Sequence, residues 1–293
     1  MHSNKPLLVP PSKGRQTNVH AMPNLWHATP ALRLTMLIHI SCLALTIMDP
    51  VHWKWTLSAI ILNHLVILVF VIMFPSSRLL GPNIMRLPAA AALRGEVSLT
   101  FDDGPDPIVT PQVLDLLDKY KAKASFFCIA DKVIAHPELA LEIISRGHTV
   151  ENHTKRHPHA FAFFGPRALQ HEIDSAQTAI RAVTNTNPEF FRAPMGFRNP
   201  FLAPVVERSA LRYAGWTRRG YDGISKSATA VLRRLKHNLA AGDILLLHDG
   251  HSIQSHGISP VILEVLPQLL EDLQSLKLKS ITLQTACSHV GKF

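Results

Sequence analysis

The sequence predicts an α/β fold whose parallel strands form an open sheet or a barrel, preceded by two apolar helices. Three observations support this prediction. From about residue 96 to residue 283, short apolar runs alternate regularly with helical patterns, as strands and crossover helices do in a parallel sheet. Acidic, basic and imidazole side chains follow several of these runs, where the carboxyl ends of parallel strands would bring them together. Residues 31–74 contain two apolar stretches of nearly membrane-spanning length.

The composition indicates a membrane-associated protein rather than one that binds nucleic acid. The chain has 293 residues, of which 47% are hydrophobic and 17% charged, and its mean hydropathy is +0.12. The formal net charge is +9, but no basic stripe is interleaved with aromatic residues, so we expect no nucleic-acid partner. The three cysteines, Cys42, Cys128 and Cys287, show the pattern of neither a disulfide framework nor a cysteine metal site.

We divide the chain into four segments. Residues 1–30 are a polar lead, and residues 31–74 are two membrane helices. Residues 75–95, rich in proline and glycine, are predicted to be a linker along the membrane surface, and residues 96–293 a catalytic domain. In that domain we predict strands at 97–101, 124–129, 148–150, 190–192, 211–216, 243–248 and 279–283, and helices at 110–121, 137–146, 166–184, 200–209, 229–239 and 260–276.

The two apolar stretches predict a helical hairpin in a membrane. The second, residues 56–74, carries no charge and reaches the ~20 residues that a bilayer span needs. The first, residues 31–48, is shorter and could instead be a buried or interfacial helix. A signal peptide is disfavoured, because a second span follows at once and no small-residue cleavage site is evident. The intervening loop contains Trp53 and Trp55, which are typical of the boundary between lipid and water.

Basic residues flank the hairpin on both sides, whereas its loop carries only Lys54. The positive-inside rule therefore places both ends, and the catalytic domain with them, on the cytoplasmic side of a bacterial inner membrane. If only the second stretch spans, the flanking charges are nearly balanced, and the domain could lie outside.

Two adjacent carboxylates, Asp102 and Asp103, end the first predicted strand, and Gly104 and Pro105 stop it. Carboxylates this close repel each other unless a cation or a proton lies between them. Downstream, His153 and His157 are four residues apart, so on a helical turn they would share a face. With 17 histidines in the chain, this pair alone is a weak signal. Together with an aspartate it makes a three-ligand set that leaves positions open for water and substrate, as a catalytic divalent site requires.

Three further motifs follow strand ends. Arg192, held by Pro194 and Gly196, can bind a carboxylate with fixed geometry, although a surface arginine in a turn is the plain alternative. Residues 216–222 combine an aromatic residue, two arginines and an acid, or form an ordinary solvated loop. His248 ends a strongly apolar strand, and its near-neutral pKa suits a general acid unless it is simply a histidine at the barrel rim.

This ordered set of motifs resembles the polysaccharide deacetylases with a NodB-homology domain, which form carbohydrate esterase family 4. The five motifs are Thr-Phe-Asp-Asp-Gly-Pro, His-Thr-x-x-His, Arg-x-Pro-x-Gly, an aromatic and acidic loop, and Leu-x-x-His, and they span about two-thirds of the chain. The resemblance implies a distorted (β/α) barrel of fewer than eight strands. It also implies hydrolysis of the N-acetyl group of an amino sugar.

The resemblance assigns roles to the motif residues. It implies that Asp103, His153 and His157 bind a divalent metal, usually zinc. Asp102 is then similar to the family's general base and His248 to its general acid, which protonates the leaving amine. Arg192 is similar to the residue that orients the base.

The fourth motif departs from the family pattern, in which an acid is followed directly by an aromatic residue. Here we assign Asp222 to the charged network and Trp216 to a wall of the substrate pocket. Pro194 and Arg198 are also assigned to substrate binding. Arg198, Arg218 and Arg219 add positive charge, which would favour an anionic substrate such as a sugar phosphate or a lipid pyrophosphate, or is ordinary surface charge.

The sequence therefore predicts a membrane-anchored, metal-dependent deacetylase of an N-acetylated glycan or a lipid-linked sugar. Two alternatives keep the same barrel: a deformylase of a lipid-linked amino sugar, and a deacetylase of the peptidoglycan or chitin type. A catalytically silent, membrane-tethered glycan-binding module is disfavoured, because the acid, base and metal positions are all filled.

Overall fold

The computed structural model describes residues 27–74, 77–251, 253–255 and 259–288. Residues 1–26 of the predicted polar lead and residues 75–76 of the predicted linker therefore lie outside the described residues. Within the described part of the chain, an N-terminal helical hairpin precedes a curved parallel sheet that is covered by helices, so the α/β barrel prediction is confirmed.

Eight parallel strands form the main sheet, in the order β5-β4-β3-β2-β1-β7-β6, with β10 added beside the start of β1. The resemblance implied fewer than eight strands, and the eighth is the two-residue strand β10. A separate antiparallel pair joins β8 to β9. The strands are β1 Glu96–Asp102, β2 Ala124–Cys128, β3 Thr149–Asn152, β4 Phe190–Phe191, β5 Arg212–Tyr213, β6 Arg218–Arg219, β7 Ile244–His248, β8 Gln254–Ser255, β9 Ser259–Pro260 and β10 Lys279–Ser280.

Each predicted helix is present, and its ends lie within three residues of the predicted ones. The helix over residues 166–184 begins and ends at the predicted residues. Unpredicted are the short helices α3, α5 and α11 and the strands β6, β8 and β9, which are too short to show a period in the sequence. The helices are α1 Pro30–Met48, α2 Trp53–Met73, α3 Ala89–Leu93, α4 Val109–Lys119, α5 Ala130–Ala135, α6 Pro137–Ser145, α7 Pro166–Thr184, α8 Leu202–Arg208, α9 Ala228–Lys236, α10 Val261–Ser275 and α11 Leu283–Ser288.

Alternation along the central strands separates an outer core from an inner one. Phe101, Phe126 and Leu245 pack with the surrounding helices, whereas Phe127 and Leu246 belong to a second cluster inside the curve of the sheet. Side chains two residues apart on a strand share a face. The inner face therefore continues, at the carboxyl ends of β1 and β7, to the side chains that form the site.

Part of the predicted linker belongs to the barrel. Ile84 bridges in parallel to Ala214, just after β5, and Arg86 bridges in antiparallel fashion to Asp243, just before β7. The backbone N–H of Ile84 donates to the carbonyl of Tyr213 (3.0 Å), and the N–H of Leu87 donates to that of Gly242 (2.8 Å). Residues 84–87 thus link the segment that follows β5 to the start of β7.

The helices α1 and α2 are long and apolar enough to cross a membrane and pack against each other as a hairpin. Polar side chains join them along their length. Thr46 and Thr56 share a hydrogen bond (2.7 Å), and the rings of His39 and His64 meet edge to face with centroids 5.0 Å apart. Interhelical hydrogen bonds of this kind hold helices together in lipid, where apolar packing alone gives little preference.

Candidate active site

The site begins where β1 ends. Asp102 is the last residue of the strand, and Asp103 follows with φ of +71°, in the left-handed region. In a regular strand, neighbouring side chains point to opposite faces of the sheet. Because the chain turns at Asp103, both carboxylates instead face the same site. Asp102 is in register with His248 on β7, which brings the first and last motifs of the sequence side by side.

Three predicted ligands converge. The Nε2 atoms of His153 and His157 each lie 3.2 Å from Oδ1 of Asp103, and one ligand atom from each residue lies within 4.8 Å of the others. Ligand atoms about 2.1 Å from a common ion in tetrahedral geometry are roughly 3.4 Å apart, so the observed spacing suits a small divalent cation.

The chemistry of these donors also fits a cation. Oδ1 of Asp103 is buried and makes no hydrogen bond of acceptable geometry among the described residues. Nδ1 of His153 lies 2.8 Å from the backbone carbonyl of Arg192 and donates to it, which leaves the lone pair of Nε2 for a metal. Burial lowers the pKa of His157 to about 4, so this imidazole is neutral near pH 7, as a metal ligand must be.

The histidine pair does not lie on a helix, in contrast to the prediction. Residues 153–157 form an irregular loop, with Thr154 and His157 at φ of +68° and +55°. Oδ1 of Asn152 accepts a hydrogen bond from the N–H of Thr154 (3.0 Å), and Oγ1 of Thr154 accepts one from the N–H of His157 (2.9 Å). These side-chain bonds replace helical ones and still bring both imidazoles to one point.

Arg192 fixes Asp102. It is fully buried, and its Nη1 donates to Oδ1 of Asp102 (2.6 Å) and to Oγ1 of Thr100 (2.9 Å). Its other nitrogens donate to the carbonyls of Ala214 (3.1 Å) and Gly215 (2.9 Å). Because every edge of the guanidinium is engaged, the arginine holds one carboxylate oxygen and leaves the other, Oδ2, facing the site, 4.0 Å from Nε2 of His153.

His248 is paired with Asp222. Its Nδ1 lies 2.9 Å from Oδ1 of Asp222, and its backbone N–H donates to Oδ2 (2.7 Å). Burial by itself would lower the pKa of His248, but the charge of Asp222 and this hydrogen bond outweigh it and raise the pKa to about 9. The imidazole is therefore protonated near pH 7 and can donate a proton.

These groups line a cavity of about 150 Å³. Trp216 forms part of its wall, as predicted from the sequence, and Gly196 packs so close to the indole that a Cβ there would lie 2.3 Å from it. Pro194 is buried beside the cavity without lining it, and its neighbour Met195 does so instead.

Arg198 lies elsewhere. It is 7% exposed, stacks on Tyr213 with 4.7 Å to the ring centroid, and donates to the backbone carbonyls of Ser77 and Pro82. The structure therefore does not bring Arg198 to the cavity, in contrast to the prediction. Its guanidinium instead binds two carbonyls of the segment that follows α2, one of which, that of Ser77, also accepts a hydrogen bond from Nδ2 of Asn83 (3.2 Å).

Several cavity residues have no clear signal in the sequence. They include His251, whose Nδ1 lies 3.7 Å from Oδ2 of Asp103, and the exposed apolar residues Tyr221 and Ile224. Each lies in a loop, where no periodicity marks a functional position. The fully buried Asp249 was also missed, although it directly follows His248; it accepts a hydrogen bond from Thr110 (2.6 Å) behind the ligand set.

Comparisons with known proteins agree with this geometry. The sequence model of the polysaccharide deacetylase family matches residues 90–214. The chain is 32% identical over 175 residues to a peptidoglycan-N-acetylglucosamine deacetylase of Bacillus cereus, covering 59% of this chain and 81% of the relative. It is 36% identical over 163 residues to a chitooligosaccharide deacetylase of a Bradyrhizobium species, covering 53% of this chain and 71% of the relative.

A solved structure shows the same likeness. The family 4 acetyl xylan esterase of Clostridium thermocellum, solved in complex with a cobalt ion, aligns with a TM-score of 0.59 and 29% identity, over 66% of this chain and 90% of that one. The fold and the site define a hydrolase that acts on carbon–nitrogen bonds other than peptide bonds, of a family whose deacetylases use a divalent metal. The chain belongs to the polysaccharide deacetylase family.

Proposed function

We propose that this protein is a membrane-anchored deacetylase that removes the N-acetyl group from an amino sugar in a glycan or a lipid-linked glycan. One observation carries the proposal: adjacent aspartates are divided between two partners. Asp103 faces two imidazole Nε2 atoms at 3.2 Å, whereas Asp102 is bound by Arg192 at 2.6 Å. This division supplies one metal ligand and one free base from neighbouring residues.

Asp103, His153 and His157 would hold the divalent ion, and two imidazoles with one carboxylate favour zinc. When bound, the ion polarises the acetamide carbonyl and makes water more acidic. The same positive charge offsets the repulsion between the two carboxylates.

The remaining steps belong to the side chains. Oδ2 of Asp102 accepts a proton from the water that attacks the carbonyl carbon, while Arg192 keeps the carboxylate oriented. His248 donates its proton to the amide nitrogen as the carbon–nitrogen bond breaks, which yields acetate and a free amine. Asp222 holds Nδ1 of His248 and maintains its protonated form, so a base and an acid coexist at one pH.

Anchoring in a bacterial inner membrane is supported by α1 and α2, whose outward side chains are largely apolar and exposed, and by Trp53 and Trp55 in the first turn of α2. The basic flanks favour a cytoplasmic site. A reporter enzyme fused to the C-terminus tests this orientation, because activity found only outside the membrane would contradict it.

A lipid-linked substrate is supported by the position of the site relative to the hairpin. Arg198 binds Ser77 and Pro82, just after α2, and lies three residues from Met195 in the cavity wall. The hydroxyl of Thr29, at the start of α1, donates to the carbonyl of Leu79 (2.7 Å) in the same segment. The segment that follows α2 is thus joined both to the start of α1 and, through Arg198, to the loop that forms part of the cavity wall. The relatives favour a second candidate substrate, a glycan of the peptidoglycan or chitin type.

The decisive experiment separates the two aspartates. Asp103→Asn should lose bound metal and deacetylation together, whereas Asp102→Asn should retain the metal and lose the rate. Metal content is measured by mass spectrometry on detergent-purified protein, with Asp118→Asn on the exposed face of α4 as the control. Acetate and formate release are assayed separately, so formate as the product would identify a deformylase. The opposite pattern of metal loss would reverse the two roles.

A further inference from the structure

A second recess adjoins the catalytic cavity. It has a volume of about 530 Å³ and shares Trp216, Arg219 and Tyr221 with the smaller cavity. Four of its lining residues are arginines: Arg86, Arg218, Arg219 and Arg234. A substrate whose acetamide occupies the catalytic cavity would therefore extend past Arg219 into a strongly basic space.

Two of the four arginines, Arg86 and Arg218, form ion pairs that stabilise the fold. Nη1 of Arg86 and Nε of Arg218 each lie 2.9 Å from a different oxygen of Asp243, which is fully buried before β7. This carboxylate holds β6 and the segment at residue 86 together. It neutralises only one of the two arginines, so the pair retains a net positive charge.

Arg219 and Arg234 pair with no carboxylate among the described residues. Nε of Arg219 is buried without a hydrogen-bond acceptor in that part of the chain, and Nη1 of Arg234 donates a long hydrogen bond to the carbonyl of Gly220 (3.3 Å). Burying a cationic N–H without an acceptor destabilises the folded protein, and a bound anion would supply the missing acceptor and offset this effect.

The orientation of Arg219 is already fixed. Its guanidinium stacks between Trp216 and Tyr221, at 5.4 and 4.8 Å from their ring centroids. Arg234, from α9, approaches Tyr221 from another direction at 5.8 Å. Stacking leaves the N–H edges of a guanidinium available, and those edges match the oxygens of a phosphate.

We infer that this recess binds a phosphate-type anion attached to the substrate sugar, with Arg219 and Arg234 as its ligands. Two forks on separate elements suit a tetrahedral anion better than a planar carboxylate, which one guanidinium can satisfy. The inference rests on the proposed function for the identity of the sugar. The anion could come from a nucleotide diphosphate sugar or from a polyprenyl diphosphate sugar, which share the same chemistry.

Binding is tested first, without turnover. Glucosamine 1-phosphate and methyl glucosaminide are titrated calorimetrically into the metal-loaded, full-length protein. We expect tighter binding of the phosphate compound, and we expect Arg219→Gln/Arg234→Gln to reduce that preference by roughly tenfold or more, as loss of charge-assisted hydrogen bonds does. Arg233→Gln, the neighbouring exposed arginine on α9 that does not line the recess, is the matched control and should keep the preference.

Turnover then identifies the source. The ratio of kcat/KM for phosphate-bearing and neutral N-acetylated sugars should fall in the double variant and be partly retained in Arg219→Lys, which keeps the charge but loses the fork. Two phosphate-bearing substrates are compared: the uridine diphosphate derivative and the farnesyl diphosphate derivative of N-acetylglucosamine. The one with the larger kcat/KM, relative to the neutral sugar, identifies whether the anion comes from a nucleotide or from a polyprenyl carrier. Because Arg234 is exposed, Arg234→Gln alone tests the idea in a variant whose fold is undisturbed.

The outcomes separate the two proposals. An unchanged preference in Arg219→Gln/Arg234→Gln, with neutral glycans still deacetylated, would refute the phosphate subsite and leave the deacetylase proposal standing. A preference that depends on these arginines, in a protein that hydrolyses no acetamide, would support the subsite and refute the proposed function.

Discussion

Replacing Asp222 with asparagine should move the alkaline limb of the pH–rate profile. In the wild type, burial lowers the pKa of His248, but Asp222, with smaller contributions from Asp102 and Asp103, raises it from its ordinary value of about 6.5 to about 9. That difference corresponds to roughly 3 kcal/mol in favour of the protonated imidazole. Asparagine preserves the hydrogen bond in one orientation but removes the largest charge that offsets burial, leaving only the smaller effects of Asp102 and Asp103, so the pKa should fall back to about 6.5.

The expected loss of rate depends on pH. At pH 8, a group with a pKa of 9 is about 90% protonated, whereas one with a pKa of 6.5 is about 3% protonated, so kcat/KM should fall roughly thirtyfold in Asp222→Asn. At pH 6 most of the rate should return. A metal ion beside Asp103 repels the imidazolium in both proteins, so the displacement between the two profiles is the quantity to measure.

The assay is acetate release from a short N-acetylated glycan between pH 5.5 and 10, with metal content checked at each end. Asp174→Asn, on the outer surface of α7, serves as the control for a surface aspartate. An alkaline limb that stays in place in Asp222→Asn would refute the assignment of His248 as the acid. An equal loss of rate at all pH values would show that Asp222 acts only on the structure.

Three further predictions follow from buried groups. Arg192→Gln should lower the free energy of unfolding by about 3–5 kcal/mol in chemical denaturation, since it leaves buried Asp102 without its cation, and a change below 1 kcal/mol would contradict that role. Arg198→Gln should make the segment around Pro82 more sensitive to limited proteolysis, because the carbonyls of Ser77 and Pro82 each lose a hydrogen bond; unchanged cleavage would argue against the anchor. Burial lowers the pKa of His148 to about 4, so the unfolded chain takes up this proton first, and stability falls as the pH drops from 6.5 towards 4. In His148→Asn, the decrease in the free energy of unfolding between pH 7 and pH 4 should be roughly 3 kcal/mol smaller than in the wild type, as measured by chemical denaturation at both pH values. An identical pH dependence in both proteins would refute the burial argument.

The longer elements could be predicted from sequence because their signals are local. The helix over residues 166–184 has its apolar face at a helical period. β7 is a run of apolar residues and β1 alternates apolar residues with serine and threonine, and both strands are buried on both faces, as central parallel strands are. Strands of two residues, such as β6, carry no such pattern. Their existence depends on a partner strand that lies far away in the chain.

The candidate site likewise combines features that the sequence could predict with features that only the fold decided. The residue types at strand ends were sufficient to select Asp103, His153 and His157 as one group, although the helical turn expected for the two histidines is an irregular loop. The sequence could not place Arg198, because an arginine near a strand end can bind a ligand or a backbone carbonyl with equal chemical ease. Only the path of the segment after α2 decides between the two.

The sequence alone therefore determined the fold class, the family and the donor types, since hydrophobic period and residue chemistry are properties of neighbouring residues. The tertiary structure decided which donors meet. It gave Asp102 to Arg192, which follows β4, and left Asp103 to the histidines of the loop after β3. It also placed Arg219 at the border of two cavities: the aromatic rings on which it stacks belong to nearby residues of the chain, but the pairing of β6 with the distant strand β7 brings this stretch to the site.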